Sequence, residues 1–104
     1  MTQLSNFKGM TMATASARHI LVNNEALCKE LKEKINAGEI TFEEAAKQNS
    51  LCPSGARGGE LGRFGQGQMV PEFDRVVFND EVGVVHGPVK TQFGYHLLEI
   101  TERS

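Results

Sequence analysis

Three histidines and two cysteines are the side chains in this 104-residue sequence best suited to moving a proton or attacking a carbonyl. His19 lies in the run Arg18-His19-Ile20-Leu21-Val22, and His96 lies in Tyr95-His96-Leu97-Leu98. Side chains alternate along an extended strand, so His19 shares a face with Leu21, and His96 shares one with Leu98 and Ile100. Both imidazoles are therefore expected on the core side of one sheet, beside each other if those strands pair. A lone inward histidine is ordinarily a satisfied structural group, because buried polar atoms find partners; two of them on the first and last strands form a candidate site. His86, next to Gly87-Pro88, is expected to have no role. Cys52, in Leu51-Cys52-Pro53-Ser54-Gly55, could serve as a thiol nucleophile with either strand histidine as base. No oxyanion-hole motif or orienting Asn accompanies it, so a hydrolase is disfavoured. A thiol redox module would need the same Cys52 to be reactive. Cys28, beside Leu27, reads as packing. Neither C-x-x-C nor H-x₃-H spacing occurs, and no metal or other cofactor is expected.

Six of the thirteen residues from Gly55 to Gly67 are glycine, which raises the question of a phosphate cradle. The stretch has no G-x-x-x-x-G-K-[ST], and Gly65-Gln66-Gly67 is followed by Val70 where a dinucleotide fingerprint needs its third glycine. Tight turns around a short strand are the simpler reading. Leu61, Phe64, Met69 and Phe73 follow closely, and Phe93 and Tyr95 precede the last strand. Most of these belong in a core. Met69 stands outside any helix beside Gly67, where a flexible, polarizable side chain could line a groove that accepts varied apolar groups.

The elements that must hold these residues follow from local pattern. Ala17–Val22 reads as a strand. Asn23-Asn24 offers a cap to a helix over Glu25–Ala37, with Leu27, Leu31 and Ile35 every fourth residue and Gly38 as the stop. Thr41-Phe42-Glu43-Glu44 matches a capping box for a second helix, about Phe42 to Asn49, that buries Phe42, Ala45 and Ala46. Leu61–Phe64 is a strand candidate. Pro71 suits the first turn of another helix carrying Phe73, Val76 and Val77 on one stripe. Gly83–His86 reads as a weak strand, Gly87-Pro88 as a turn, and Tyr95–Thr101 as the closing strand. The order β-α-α-β-α-β-β predicts one α+β domain with a mostly antiparallel sheet.

Composition narrows the function classes. Eleven Lys and Arg against thirteen Asp and Glu give a net charge of −2, which argues against a general nucleic-acid binder and against polybasic membrane attachment. No apolar run approaches the roughly 18 residues of a membrane-spanning helix. Residues 1–12 hold three methionines and no apolar core of a secretory signal. They read as a flexible or vector-derived leader, with Met12 a candidate start and residues 13–104 the domain. Two cysteines in a chain without a signal point to free thiols and a cytoplasmic address.

Several motifs, in one order, resemble the parvulins, a family of small peptidyl-prolyl cis–trans isomerases. They are His19-Ile20-Leu21-Val22; Cys52-Pro53-Ser54 followed by Arg57-Gly58-Gly59-Glu60-Leu61-Gly62; Gly67-Gln68-Met69-Val70-Pro71-Glu72-Phe73; Gly87-Pro88-Val89; and Thr91-Gln92-Phe93-Gly94-Tyr95-His96. The likeness spans about residues 14–102 and is greatest to the minimal single-domain bacterial members. It implies a β-α₃-β-α-β₂ order with four strands, one of the helices being a single turn near Cys52 that periodicity does not reveal. It implies catalytic roles for His19, Cys52, His96 and Thr91, the Thr91 hydroxyl bonding within the histidine pair. It implies a proline-ring pocket from Leu61, Met69 and Phe73, with Gln68 and Phe93 bordering the cleft. The position of Cys52 is Cys or Asp across the family, which suits a polar, non-nucleophilic role and a noncovalent mechanism. Phosphate-directed relatives carry a basic loop after the first strand. Here Val22-Asn23-Asn24-Glu25 has no Lys or Arg, so an apolar residue before the proline is the expected preference. The expected partners are proline-containing polypeptides, met as a monomer. The alternative is a proline-peptide-binding chaperone module with little catalysis.

Overall fold

A computed structural model of the chain describes residues 13–104; the expected leader, residues 1–12, lies outside the described residues. The chain runs through β1 (Thr14–Val22), α1 (Glu25–Asn36), α2 (Phe42–Asn49), a 3-10 turn (Pro53–Arg57), β2 (Glu60–Gly65), α3 (Pro71–Asn79), β3 (Val85–Thr91) and β4 (Gly94–Arg103). The four strands lie in the order β2-β1-β4-β3, and every neighbouring pair is antiparallel.

Local chemistry sets the helix ends. Asn24 accepts the Leu27 N–H at 3.0 Å and caps α1. Thr41 and Glu44 complete the capping box of α2, each side chain satisfying the other's exposed backbone donor. Gly38, at φ +79°, follows Ala37 past the end of α1, a conformation that glycine adopts freely. The 3-10 turn at Pro53–Arg57 is the short helix implied by the family resemblance.

Both faces of the sheet are covered. Ile20, Val22 and Leu97 pack against Cys28 and Leu31 of α1 and Phe42, Ala45 and Ala46 of α2. On the opposite face Ala15, Ala17, Phe64 and Leu98 pack against Phe73 and Val77 of α3. Arg18 and Glu99 form a cross-strand ion pair at 2.8 Å, and Arg18 also lies over the Phe42 ring, 4.8 Å from its centroid.

The strands depart from expectation at their edges. β1 starts at Thr14, three residues before the expected Ala17, because Ala15 and Ala17 are fully buried under α3 although neither is a strong strand former. Gly87-Pro88 is not a turn between strands: it lies inside β3, which runs from Val85 to Thr91, and the pairing with β4 slips between His86 and Val89. β3 is a sheet edge, where a residue without an N–H removes no ladder bond.

Candidate active site

The register of the two central strands creates the site. Leu21 of β1 lies opposite His96 of β4, and His19 lies opposite Leu98. His19 and His96 are thus diagonal neighbours on one face, within side-chain reach of each other. Their Nδ1 atoms are 3.1 Å apart, and both residues are buried, 6% and 4% exposed. The ring centroids are 5.3 Å apart with planes 17° from parallel. That separation exceeds the Nδ1 contact by 2.2 Å (5.3 − 3.1), a ring radius at each end, so the imidazoles meet edge to edge. The Phe73 ring of α3 stands nearly perpendicular to both, 5.3 Å from His19 and 4.8 Å from His96.

Hydrogen bonds continue outward from the pair. His96 Nε2 meets Thr91 Oγ1 at 2.7 Å, and Thr91 Oγ1 accepts the Phe93 N–H at 3.1 Å. His19 Nε2 meets Ser54 Oγ at 3.2 Å, and Ser54 donates to Cys52 Sγ at 3.3 Å. Burial lowers the pKa of His19 to about 4, with the neighbouring His96 adding to the effect. Burial likewise lowers that of His96, against the opposing influence of the Glu72 carboxylate. Both rings are neutral at neutral pH, each with one N–H.

One placement of protons satisfies every N–H and O–H donor in this chain. Ser54 gives its hydrogen to Cys52, so it accepts from His19 Nε2–H. His19 Nδ1 then accepts from His96 Nδ1–H, and His96 Nε2 accepts from the Thr91 hydroxyl. Reversing the two tautomers would make Thr91 Oγ1 accept twice and leave its buried hydroxyl hydrogen without a partner, at a cost of about 1–3 kcal/mol. The polarity of the chain therefore runs from the Phe93 amide to the Cys52 sulfur. With a lone pair of sulfur engaged by Ser54, the thiol hydrogen is left free to face the cleft.

That cleft is a cavity of about 340 Å³ walled by Leu21, Leu51, Cys52, Leu61, Met69, Phe73 and Phe93, with His19 and His96 at its base. Seven of the nine sequence-predicted site residues (His19, Cys52, Leu61, Met69, Phe73, Phe93 and His96) therefore converge on one cavity. Thr91 is buried behind His96 and does not line it. Gln68 is also outside the lining. Its Oε1 accepts the Gly65 N–H at 2.8 Å, bracing the loop that carries Met69, as does Asp74, which accepts the Gly67 N–H. His86 does not line the cavity, and its Nε2 lies 2.7 Å from the Glu81 carbonyl oxygen. Cys28 is fully buried on the inner face of α1, its thiol pushed up to about 11 by burial with a contribution from Glu25.

Sequence reasoning overlooked Ser54, which joins the histidine pair to Cys52. Its signal is faint: a hydroxyl two residues after the cysteine, directly after a proline that starts a 3-10 turn. Gly59 is a second omission. It holds φ +87°, and a Cβ there would run into the His19 carbonyl oxygen, while its own carbonyl accepts the His19 N–H at 2.9 Å. The glycine-rich stretch thus lets the loop lie directly against the backbone of the histidine strand.

A four-stranded antiparallel sheet with a buried histidine pair, a half-buried cysteine and an apolar cleft defines a parvulin-type prolyl isomerase domain. A family profile described as "Rotamase: PPIC-type PPIASE domain" matches residues 10–102. The chain belongs to the PPIC-type peptidyl-prolyl isomerase (parvulin) family. It is 49% identical to foldase protein PrsA 4 of Bacillus cereus over 86 residues, covering 82% of this chain and 30% of that protein. It is 46% identical to the foldase PrsA of Geobacillus kaustophilus over 88 residues, covering 84% and 31%. The chain therefore spans about a third of the length of these relatives. The crystal structure of PrsA from Bacillus anthracis superposes with a TM-score of 0.85 at 37% identity, covering 96% of this chain and 46% of that one. The parvulin of Nitrosopumilus maritimus superposes with a TM-score of 0.75 at 34% identity, covering 84% and 94%. As a domain, then, this is a peptidyl-prolyl cis–trans isomerase.

Proposed function

We propose that the domain accelerates rotation about X-Pro bonds of unfolded or flexible polypeptides without a covalent intermediate, preferring an apolar residue before the proline. The observation that carries this reading is the apolar cavity over the histidine pair, with Cys52 at its edge. Rotation of a peptide bond is opposed by about 18–20 kcal/mol because resonance gives C–N partial double-bond character. The uncatalysed X-Pro exchange takes roughly tens of seconds or more. At the twisted transition state the resonance and its charge separation are reduced, so a dry apolar wall disfavours the planar amide relative to the twisted one. Leu61, Met69 and Phe73 grip the proline ring while the preceding carbonyl swings past Cys52. The buried pair, with Ser54 and Thr91, holds Cys52 and the cleft wall in place. Each tenfold in rate needs about 1.4 kcal/mol, so a few such contacts suffice.

Asn23, Asn24 and Glu25 are exposed at the end of β1, and none of the three is a Lys or Arg that could receive a phosphate, which supports a preference unrelated to phosphorylation. The foldase relatives support polypeptide clients for the whole protein. We further propose a monomer in the cytoplasm, supported by the free thiols of Cys28 and Cys52; sedimentation and cell fractionation test the two parts. The central experiment is cis–trans exchange in an Ala-Leu-Pro-Phe-type peptide, followed by NMR at substoichiometric protein. Exchange peaks or line broadening are expected. Shifts that move on binding while exchange stays slow would make the domain a proline-peptide binder. Cys52→Asp tests the chemistry: retained isomerisation is expected, and near-total loss would refute the noncovalent mechanism.

A further inference from the structure

A proline ring leaves much of the cavity unexplained. About 340 Å³ holds on the order of eleven waters at about 30 Å³ each, whereas the pyrrolidine ring has five heavy atoms. The pocket assigned to that ring, Leu61, Met69 and Phe73, accounts for one part of the wall. Another part is formed by Leu51, Leu21 and Phe93. Among the described residues four large apolar side chains are exposed, and the two most exposed, Leu51 at 61% and Phe93 at 60%, both stand at this cavity. Exposed apolar side chains gathered at one cleft mark a binding surface.

The backbone under these side chains is tied down. Leu51 N–H donates to the Leu21 carbonyl at 2.8 Å, and Leu21 N–H donates to Ser50 Oγ at 3.1 Å. Phe93 N–H is held by Thr91 Oγ1. Leu21 bridges the other two: its Cδ1 lies under Gly94, 3.1 Å from where a Cβ of that residue would stand, directly beside Phe93. Three apolar side chains are thus presented from fixed backbone as one wall. Leu51 directly precedes Cys52, the residue beside the carbonyl of the isomerising bond, so this wall lies on the side where the residue before the proline enters.

We propose that Leu51, with Leu21 and Phe93, forms a second apolar subsite that receives the side chain preceding the proline, and that Leu51 is its specificity-determining residue. This rests on the isomerase reading above and names the part of the cleft that selects the substrate. A large aliphatic or aromatic side chain would cover Leu51 and Phe93, whereas an alanine would leave both wet.

The test measures kcat/KM on a peptide series Ala-X-Pro-Phe with X as Ala, Leu, Phe and Glu, using the whole chain and its variants. The Leu-to-Ala ratio at X is expected to fall about tenfold in Leu51→Ala, the discrimination that a few methylenes in a pocket supply. In Leu51→Lys the Glu-to-Leu ratio is expected to rise at least as much. Val82→Ala, which removes an exposed apolar side chain away from the cavity, should leave the ratios unchanged. Unaltered X ratios in both Leu51 variants would overturn the subsite, as would a change in selectivity confined to the residue after the proline. Absence of catalysis by the unsubstituted chain on every peptide would overturn the isomerase reading and this subsite together. That result is distinct from catalysis whose selectivity ignores Leu51.

Discussion

Lowering the pH should destabilise this domain through His19. The folded ring is held at a pKa of about 4 by burial and by His96, against an ordinary value of 6.5. The unfolded chain therefore takes up the proton first, so stability is complete above about pH 6.5 and is lost as pH falls toward about 4. A gap of 2.5 units (6.5 − 4) corresponds to about 3–4 kcal/mol at roughly 1.4 kcal/mol per unit. That is a large share of the approximately 5–15 kcal/mol that holds a typical domain together. The assay is urea unfolding at pH 7.5, 6.5, 5.5 and 4.5 for the natural chain and for His19→Asn. Carboxylates titrate in both proteins, so the difference between the two curves reports the His19–His96 pair. That difference should narrow by up to about 1.4 kcal/mol per pH unit within the window. If the variant is too unstable to measure, the ring proton of His19 followed by NMR in the natural chain reports the same quantity. Parallel stability profiles, or a His19 ring titrating near 6.5, would refute the reasoning.

Four further outcomes follow from the same geometry. Ser54→Ala removes the acceptor of the buried His19 Nε2–H and the donor to Cys52; a loss of about 1–3 kcal/mol in denaturant unfolding is expected, together with slower prolyl exchange at pH 7.5. Thr91→Val orphans His96 Nε2 and the Phe93 N–H, and should cost a similar amount while leaving the shape of the cleft wall intact. Gly62→Ala has open space around it and should cost only the left-handed backbone penalty of about 1–2 kcal/mol. Gly59→Ala adds a collision with the His19 carbonyl and should cost about 1–3 kcal/mol more, read as a lower melting temperature.

Much of the scaffold was legible without coordinates because its causes are local. The Leu27, Leu31 and Ile35 spacing and the Asn24 cap define α1 within a few turns of chain. Thr41 and Glu44 do the same for α2, since both bonds of the box lie inside four residues. Alternation around His19 and His96 told which face each ring occupies. The resemblance supplied the 3-10 turn after Cys52, which is too short to show a period.

What the sequence could not express is distance between parts far apart in the chain. The 3.1 Å contact of His19 with His96 exists because β1 and β4 pair with Leu21 opposite His96; a one-residue slip would turn the rings to opposite faces. The direction of the proton chain depended on Ser54 and Thr91 closing it from two separate elements, the 3-10 turn and the end of β3. Gly87-Pro88 carries the composition of a turn, yet the pairing of β4 on one side and the freedom of a sheet edge on the other keep it within a strand. Gln68 has the chemistry of a cleft residue, but its amide closes a nearer loop bond to Gly65. Residue types and local spacing therefore determined the helices, the strand faces and the chemical candidates. Strand register and loop closure, which are set by which long-range pairings bury the most apolar surface, decided that those candidates meet at one cavity.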